Sequence, residues 1–117
     1  MGRIFSLTEA HALLPAVKAA TAEAVAQTDE LATRLQAIEA EAADPALEPE
    51  RARLGAALND VVLRWVGQIQ DLGVEPKGLW LVDFDNGSGY YCWRHPEEAL
   101  RHFHGYEDGF AGRMSIV

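Results

Sequence analysis

The C-terminal third of the sequence concentrates the side chains that could do chemistry. A lone cysteine, two histidines spaced two positions apart and several carboxylates occur there. Thiolate, imidazole and carboxylate are the groups that bind zinc or iron in proteins. If a cofactor is bound here, this donor set therefore predicts a transition metal, zinc or iron. The candidate ligands are Cys92, His102, His104, Glu97 and Asp83.

Whether these side chains can meet depends on the conformation of residues 97–104. On a helix, His102 and His104 would lie about 200° apart and could not share a ligand. On a strand, alternate side chains point to one face, so the two histidines could serve one site. The run from Pro96 to Leu100 favours a helix start, but such a helix could have only about eight residues and would not support itself.

Each candidate also has a purely structural interpretation. Cys92 can be a small buried residue beside Trp93, with His102 simply exposed. Glu97 and His104 can be an acid–base pair or metal ligands. The alternative is that Glu97 caps a turn and His104 hydrogen-bonds a backbone carbonyl in the next loop.

A glycine-rich stretch, "GYEDGFAGR" (residues 105–113), is a candidate anion site. Backbone amides at Gly109 and Gly112 beside Arg113 can bind an anion, because arginine holds carboxylate or phosphate bidentately. The spacing matches no nucleotide-binding fingerprint.

The alternative for the same stretch is architectural. Phe110 would fill the core, and the glycines would permit the bends of the chain. Arg113 would then pair with an acid such as Asp83 or Glu107.

The elements that must position these residues begin with a predicted helix. Ser6 and Glu9 have the spacing of a capping box, and Pro15 is expected to kink or interrupt the helix near Leu13–Leu14. The residues beyond follow the 3-4 spacing of a helix packed along another helix. This seam consists of Leu14, Val17, Thr21, Ala24, Thr28, Leu31, Leu35, Ile38 and Ala42.

A second helix is predicted to pack antiparallel to the first. Pro45 and Pro49 mark the connection, with the second helix starting near Pro49, and Gly73 is suited to end it. The first helix should be longer by about ten residues, with a projecting tip. The apolar stripe of the second helix consists of Leu54, Leu58, Val61, Trp65, Ile69 and Leu72.

The composition changes after Gly73 to aromatic and β-branched residues. We expect strands at about 79–85 and 89–94, joined by a tight turn at Asn86-Gly87. Two strands are marginal alone, so the hairpin must pack on the helices or gain a third strand. The prediction is one α+β domain over residues 1–117: an antiparallel helical hairpin (1–73), then a small antiparallel sheet of two to three strands and a Gly-rich C-terminal loop (74–117).

The composition excludes several classes of partner. The 117 residues include 10 basic and 18 acidic ones, a net charge of −8. A chain without a basic face is unsuited to nucleic acid and to an anionic membrane surface. With a single cysteine there is no intrachain disulfide, and the N-terminus has no signal-peptide pattern, so we expect a cytoplasmic protein.

Several short motifs together resemble a known family. They are "FSLTEAHALLP" near the start, "LGVEPKG" and "LVDF" in the middle, and "CWR", Glu97, His104 and "GFAGR" towards the end. In these the chain resembles, over nearly its whole length, the bacterial proteins grouped as domain of unknown function 2203. The resemblance implies no activity, because that family has no established function.

The resemblance does bear on the conformation of residues 99–104. The family usually has an alternating stretch here, which implies a third antiparallel strand at Ala99 to His104. This sequence departs from the family pattern at Pro96, Glu98 and Phe103, where glycine, proline and tryptophan are usual. His102 stands where an aromatic residue is common, which argues against a ligand role for it throughout the family.

The leading functional hypothesis from the sequence is a non-enzymatic interaction module. The long seam favours self-association of the helical hairpin into a homodimer, or binding of another protein. The alternative is a small metal-binding protein or enzyme that uses Cys92, His102, His104 and Glu97. No nucleophile motif or phosphate loop is present, so the sequence leaves open whether the protein is an enzyme.

Overall fold

A computed structural model describes residues 3–41 and 44–116 and has the predicted α+β architecture. Two helices are followed by an antiparallel sheet in which each strand pairs with the next along the chain. The elements are α1 (Leu7–Ala40), α2 (Glu48–Asp71), β1 (Glu75–Gly78), β2 (Leu81–Asp85), β3 (Tyr90–Arg94), β4 (His102–His104) and β5 (Met114–Ser115). In the ranges that the structure describes, no helix is long and apolar enough to cross a membrane.

Helix α1 begins at the predicted capping box. The Glu9 amide donates to Ser6 Oγ at 3.1 Å, and the Ser6 amide donates to Glu9 Oε1 at 2.8 Å. The helix then continues through Pro15, so the predicted interruption is wrong. Pro15 has no amide hydrogen, so the His11 carbonyl one turn earlier loses its helical partner. Both residues lie on the exposed side of the helix, where water can bond this carbonyl. The last seam position, Ala42, lies outside the described residues.

The two helices pack antiparallel along their small and apolar residues. Near the middle, Trp65 Nε1 donates to Thr21 Oγ1 at 2.9 Å in the buried interface. Towards the far end, Arg34 and Glu50 lie 3.7 Å apart.

The first helix is longer by ten residues, 34 against 24, as predicted. The prediction placed this extra length at the tip, but the N-terminal turns of α1 instead run past the end of α2. There Ala10 and Leu14 join the same buried cluster as Val82 and Phe84 of the sheet.

The sheet has five strands within the described residues, not the predicted two to three. Strand β1 has the sequence Glu-Pro-Lys-Gly, which lacks β-branched and aromatic residues, and β5 contains only two residues. Neither segment carries a strand pattern that the sequence could reveal. The predicted first strand starts at Leu81 rather than at 79, because Leu79 and Trp80 form a turn in which Trp80 has a φ of 62°.

The question of helix or strand before His104 is resolved in favour of a strand, but a shorter one than predicted. β4 covers only His102–His104 instead of Ala99–His104. The residues before it form a turn that is anchored by the buried Leu100 and by Lys18 of α1, whose Nζ donates to the Glu98 carbonyl at 2.8 Å.

The C-terminal stretch is more ordered than the predicted Gly-rich loop. It contains a 3₁₀ helix, Phe110–Gly112, and ends in β5, which pairs with β4. Gly109, immediately before the 3₁₀ helix, has a φ of +64° that favours glycine. Phe110 is 38% exposed, so the prediction that it fills the core is wrong. Its ring lies instead against the guanidinium groups of Arg94 and Arg113.

Candidate metal centre

The candidate residues converge because the sheet has two chemically different faces. Val82, Phe84 and Trp93 belong to the buried apolar cluster that they form with the helices. Side chains alternate along a strand, so the residues between these point to the opposite side, which we call the outer face. On β2, β3 and β4 the outer face consists of Leu81, Asp83, Asp85, Tyr90, Cys92, Arg94, His102 and His104.

The strand register brings three of these side chains together. Cys92 pairs directly with Asp83 on β2, and His104 lies diagonally across from it on β4. One donor atom from each of Asp83, Cys92 and His104 lies within 4.8 Å of the other two. We call these residues the buried triad, since they are only 3%, 0% and 3% exposed.

The hydrogen bonds of His104 determine which ring nitrogen faces the triad. Nδ1 lies 2.7 Å from the Gly105 carbonyl, which can only accept, so Nδ1 carries a proton and donates. Nε2 lies 3.0 and 3.1 Å from the two carboxylate oxygens of Asp83. A carbonyl bond that holds one nitrogen protonated leaves the other nitrogen as the natural metal ligand.

Cys92 is not poised as a nucleophile. Burial, together with the neighbouring Asp83 carboxylate, raises the pKa of the Cys92 thiol to about 12. Both nitrogens of His104 are already bonded, to Gly105 and to Asp83. A thiol without a base and with a raised pKa does not ionise at neutral pH, which argues against covalent catalysis by Cys92.

A bidentate ion pair closes the triad on its outer side. Arg113 Nη1 donates to Glu97 Oε1 at 3.0 Å, and Nη2 lies 2.9 Å from Oε2. The guanidinium also lies close enough to the Cys92 sulfur to act on its pKa. Arg113 therefore pairs with an acid, as the architectural alternative predicted, but the acid is Glu97 and not Asp83 or Glu107.

Glu97 has the capping role that the structural interpretation gave it. Its Oε1 accepts from the Arg94 amide at 2.8 Å. Burial alone would raise the pKa of the Glu97 carboxyl, but the bonds from Arg113 and the Arg94 amide hold that pKa below its usual value. The acid–base pair that the sequence suggested is not formed, because Glu97 bonds Arg113 whereas His104 bonds Asp83.

His102 lies beside this ion pair rather than in the triad. Its side chain is 31% exposed, so it is half-buried and not simply exposed. Its Nδ1 has no hydrogen-bond partner among the described residues and lies 3.7 Å from Glu97 Oε2. Glu97 and His102 border an open depression of about 410 Å³. The five predicted ligands thus divide into the triad and this neighbouring pair.

Gly112 and Arg113, two of the three residues of the predicted anion site, use their donor groups within the protein. The Gly112 amide donates to the Gly109 carbonyl at 3.2 Å, and the Arg113 guanidinium is bonded to Glu97. A β-carbon on Gly112 would lie 2.7 Å from Asp108 Cβ, so close packing accounts for this glycine.

The sequence reasoning did not identify two tyrosines on the outer face. The ring of Tyr90 lies 5.4 Å from the ring of His104, and Tyr106 packs edge-on against Tyr90 at 5.1 Å. The Tyr106 hydroxyl donates to Asp85 Oδ1 at 2.7 Å. The position of Tyr90 could have been predicted from the sequence, because it stands two residues before Cys92 on the same strand and so shares its face. Tyr106 lies on a loop, where no such alternation applies.

The fold and the triad together define an α+β protein with a candidate metal centre on the outer face of its sheet. The chain belongs to the family described as uncharacterized conserved protein (DUF2203), whose model matches residues 3–116. No curated protein and no solved structure matches the chain.

Proposed function

We propose that this protein binds one divalent transition-metal ion, with zinc the preferred ion, through Asp83, Cys92 and His104. The observation that carries this proposal is the convergence of a carboxylate, a thiol and an imidazole within 4.8 Å at a buried position. These are the three donor types that zinc takes from proteins.

The distances support the proposal. Zinc–ligand bonds of about 2.0–2.3 Å place the donors of a tetrahedral site roughly 3.3–3.8 Å apart. His104 Nε2 and Asp83 Oδ1 are already 3.0 Å apart, and the sulfur lies within 4.8 Å of both. Small side-chain rotations therefore suffice to admit an ion, which would take the place of the proton between His104 and Asp83.

The charges support it as well. A carboxylate and a thiolate together neutralise a divalent ion, and the neutral imidazole completes the set. Arg113 adds a positive charge nearby, but its bidentate bond to Glu97 compensates that charge. Because the Cys92 thiol has a pKa of about 12, binding must release its proton. We therefore expect affinity to rise with pH across the neutral range.

Metal analysis of protein purified without an affinity tag tests the proposal. We expect close to one equivalent of bound metal, and in cobalt-substituted protein a thiolate-to-metal charge-transfer band that Cys92→Ser removes. His102→Ala is the matched control and should keep both the equivalent of bound metal and the charge-transfer band. Metal far below one equivalent, even after zinc, iron or cobalt is added, would contradict the proposal.

Self-association of the helical hairpin is a second candidate function, in which a second copy of the chain is the partner. The molecule measures 54 × 25 × 23 Å, and the seam residues Leu31, Leu35 and Ile38 are only half-buried, whereas Leu14 and Val17 are fully buried. Pairing of two hairpins would cover this part of the seam.

Light scattering over a range of concentrations tests the homodimer. We expect a mass of twice 12.8 kDa that Leu35→Glu reduces to the monomer value. Thr33→Glu, on the exposed side of the same helix, is the matched control and should leave the dimer intact. A monomer at every concentration would exclude the homodimer.

A further inference from the structure

The buried triad needs a cover, because it lies on the side of the sheet away from the helices. Residues 105–116, which we call the C-terminal cover, contribute to this layer. Within it Arg113 lies beside the Cys92 sulfur, and the ring of Phe110 packs on the Arg113 guanidinium at 4.1 Å. The guanidinium therefore interacts both with the thiol of the triad and with the ring of Phe110.

The cover is attached mainly by polar contacts. They include the ion pair of Arg113 with Glu97, the bond of Tyr106 to Asp85, and the bond from the Ile116 amide to the Arg101 carbonyl at 2.8 Å. Strand β5 adds a pairing of only two residues.

Little apolar surface is buried beneath the cover. Three of its four large apolar and aromatic residues, Tyr106, Phe110 and Met114, are 48%, 38% and 50% exposed, and the fourth, Ile116, is half-buried. Segments with few buried apolar contacts open at low free-energy cost. The helices on the other face are held by a fully buried apolar cluster, so the cover is the layer that can open while the fold stays intact.

We propose that the C-terminal cover is a lid that controls metal exchange at the buried triad, with the Arg113–Glu97 pair as its latch. This inference rests on the proposed metal binding. The triad residues are at most 3% exposed, so an ion can enter or leave only when a covering layer moves.

The lid is coupled to the ligand set through its first residue. Gly105 begins the cover, and its carbonyl accepts the bond that orients His104. Opening the lid at this end weakens that bond, and such outer partners of a ligating histidine contribute to metal affinity. Opening therefore both exposes the centre and lowers its affinity for the ion.

Two rates measured on the same variants test the lid. One is the release of zinc from the loaded protein to a chelator; the other is the labelling of Cys92 by a disulfide reagent in metal-free protein. Because the chain has one cysteine, labelling reports this site alone. We expect Glu97→Gln to accelerate both rates about five- to tenfold, as loss of a charge-assisted bond predicts.

Glu98→Gln is the matched control, since it makes the same chemical change at an exposed neighbouring residue and should leave both rates unchanged. Phe110→Ala is a second test that leaves Glu97 in place, and it should also accelerate both rates. Circular dichroism establishes that each variant is folded.

The outcomes separate the lid from the metal site. One equivalent of zinc, with both rates unchanged in Glu97→Gln and Phe110→Ala, would overturn the lid and leave the proposed function standing. Wild-type labelling as fast as in the unfolded chain would also overturn the lid. Failure of the wild-type protein to bind metal would overturn the proposed function and the inference with it.

Discussion

Both faces of the sheet contain fully buried side chains, but these are buried by different means. On the inner face, Val82 and Phe84 are buried by the two helices. On the outer face of the same strands, Asp83 and His104 are buried beneath polar groups and a short C-terminal segment. The comparison teaches that low exposure alone does not identify a core. The partners of a buried side chain reveal whether it contributes chiefly to stability or is available for chemistry.

The energetics of the faces differ accordingly. Removing apolar surface from water stabilises a fold by about 25 cal/mol per Å², so the inner face favours folding without precise partners. A buried polar group is tolerated only when it is hydrogen-bonded. The buried triad on the outer face meets this condition through the bonds of His104 with Asp83 and Gly105. A metal ion would act on this face and leave the inner one unaffected.

The largest expected effect lies on the inner face. Phe84→Ala leaves a cavity where Phe84 meets Phe5 edge-on, with ring centroids 5.3 Å apart, and should lower the free energy of unfolding by about 3–5 kcal/mol. Urea denaturation measures it. The loss should be the same with and without chelator, since no triad residue is changed. A loss that depends on chelator would show that the two faces are not independent.

The next largest effect lies on the outer face. His104→Ala leaves the buried Asp83 carboxylate without its partner, which should lower the free energy of unfolding by about 1–3 kcal/mol in metal-free protein. The variant should also lose any stabilisation by zinc. Thermal melting with and without added zinc measures both parts. A variant that is still stabilised by zinc as much as wild type would remove His104 from the ligand set.

The latch of the cover should give a smaller effect that depends on pH. The pKa of Glu97 is lowered in the folded protein, so its contribution to stability is complete above the usual value of about 4.3 and is lost as the pH falls through the lower, folded value. Glu97→Gln should therefore cost about 1 kcal/mol at pH 7. The difference in melting temperature from wild type should narrow below about pH 4. A difference that stays constant down to pH 3 would contradict this origin.

The sequence predicts those parts of the fold that local patterns determine. The capping box at Ser6 and Glu9 located the start of α1, and Asn86-Gly87 located the β2–β3 turn, where Gly87 has a φ of +89°. Strand β1 escaped prediction because its pairing with β2 overrides the unfavourable strand propensity of Pro76 and Gly78.

The candidate site divides in the same way. Period-2 alternation places His102 and His104 on one face of their strand. It cannot show that Cys92 shares this face, or that His104 reaches Asp83 while His102 does not, because both depend on the strand register. The partner of Arg113 is set by the path of the C-terminal cover back across the sheet, and no local pattern encodes that path.

The smallest expected effect comes from the second histidine of β4, which provides the sharpest comparison within the outer face. His102 and His104 are two residues apart on one strand and point to the same side. His104 bonds Asp83 and Gly105, whereas Nδ1 of His102 has no hydrogen-bond partner in the described part of the chain. Removing His102 therefore leaves no buried group newly unpaired.

His102→Ala should accordingly cost less than about 0.5 kcal/mol and leave the metal content unchanged. Melting both histidine variants with and without chelator measures the contrast between them. Equal losses that disappear in chelator would make His102 a fourth ligand, brought to the ion by its direct cross-strand pairing with Cys92. The centre would then be a closed, structural one, because four protein ligands leave no coordination position open. A loss of stability seen only in His104→Ala would support the three-ligand centre. The fourth coordination position of such a centre is open to water or to a substrate.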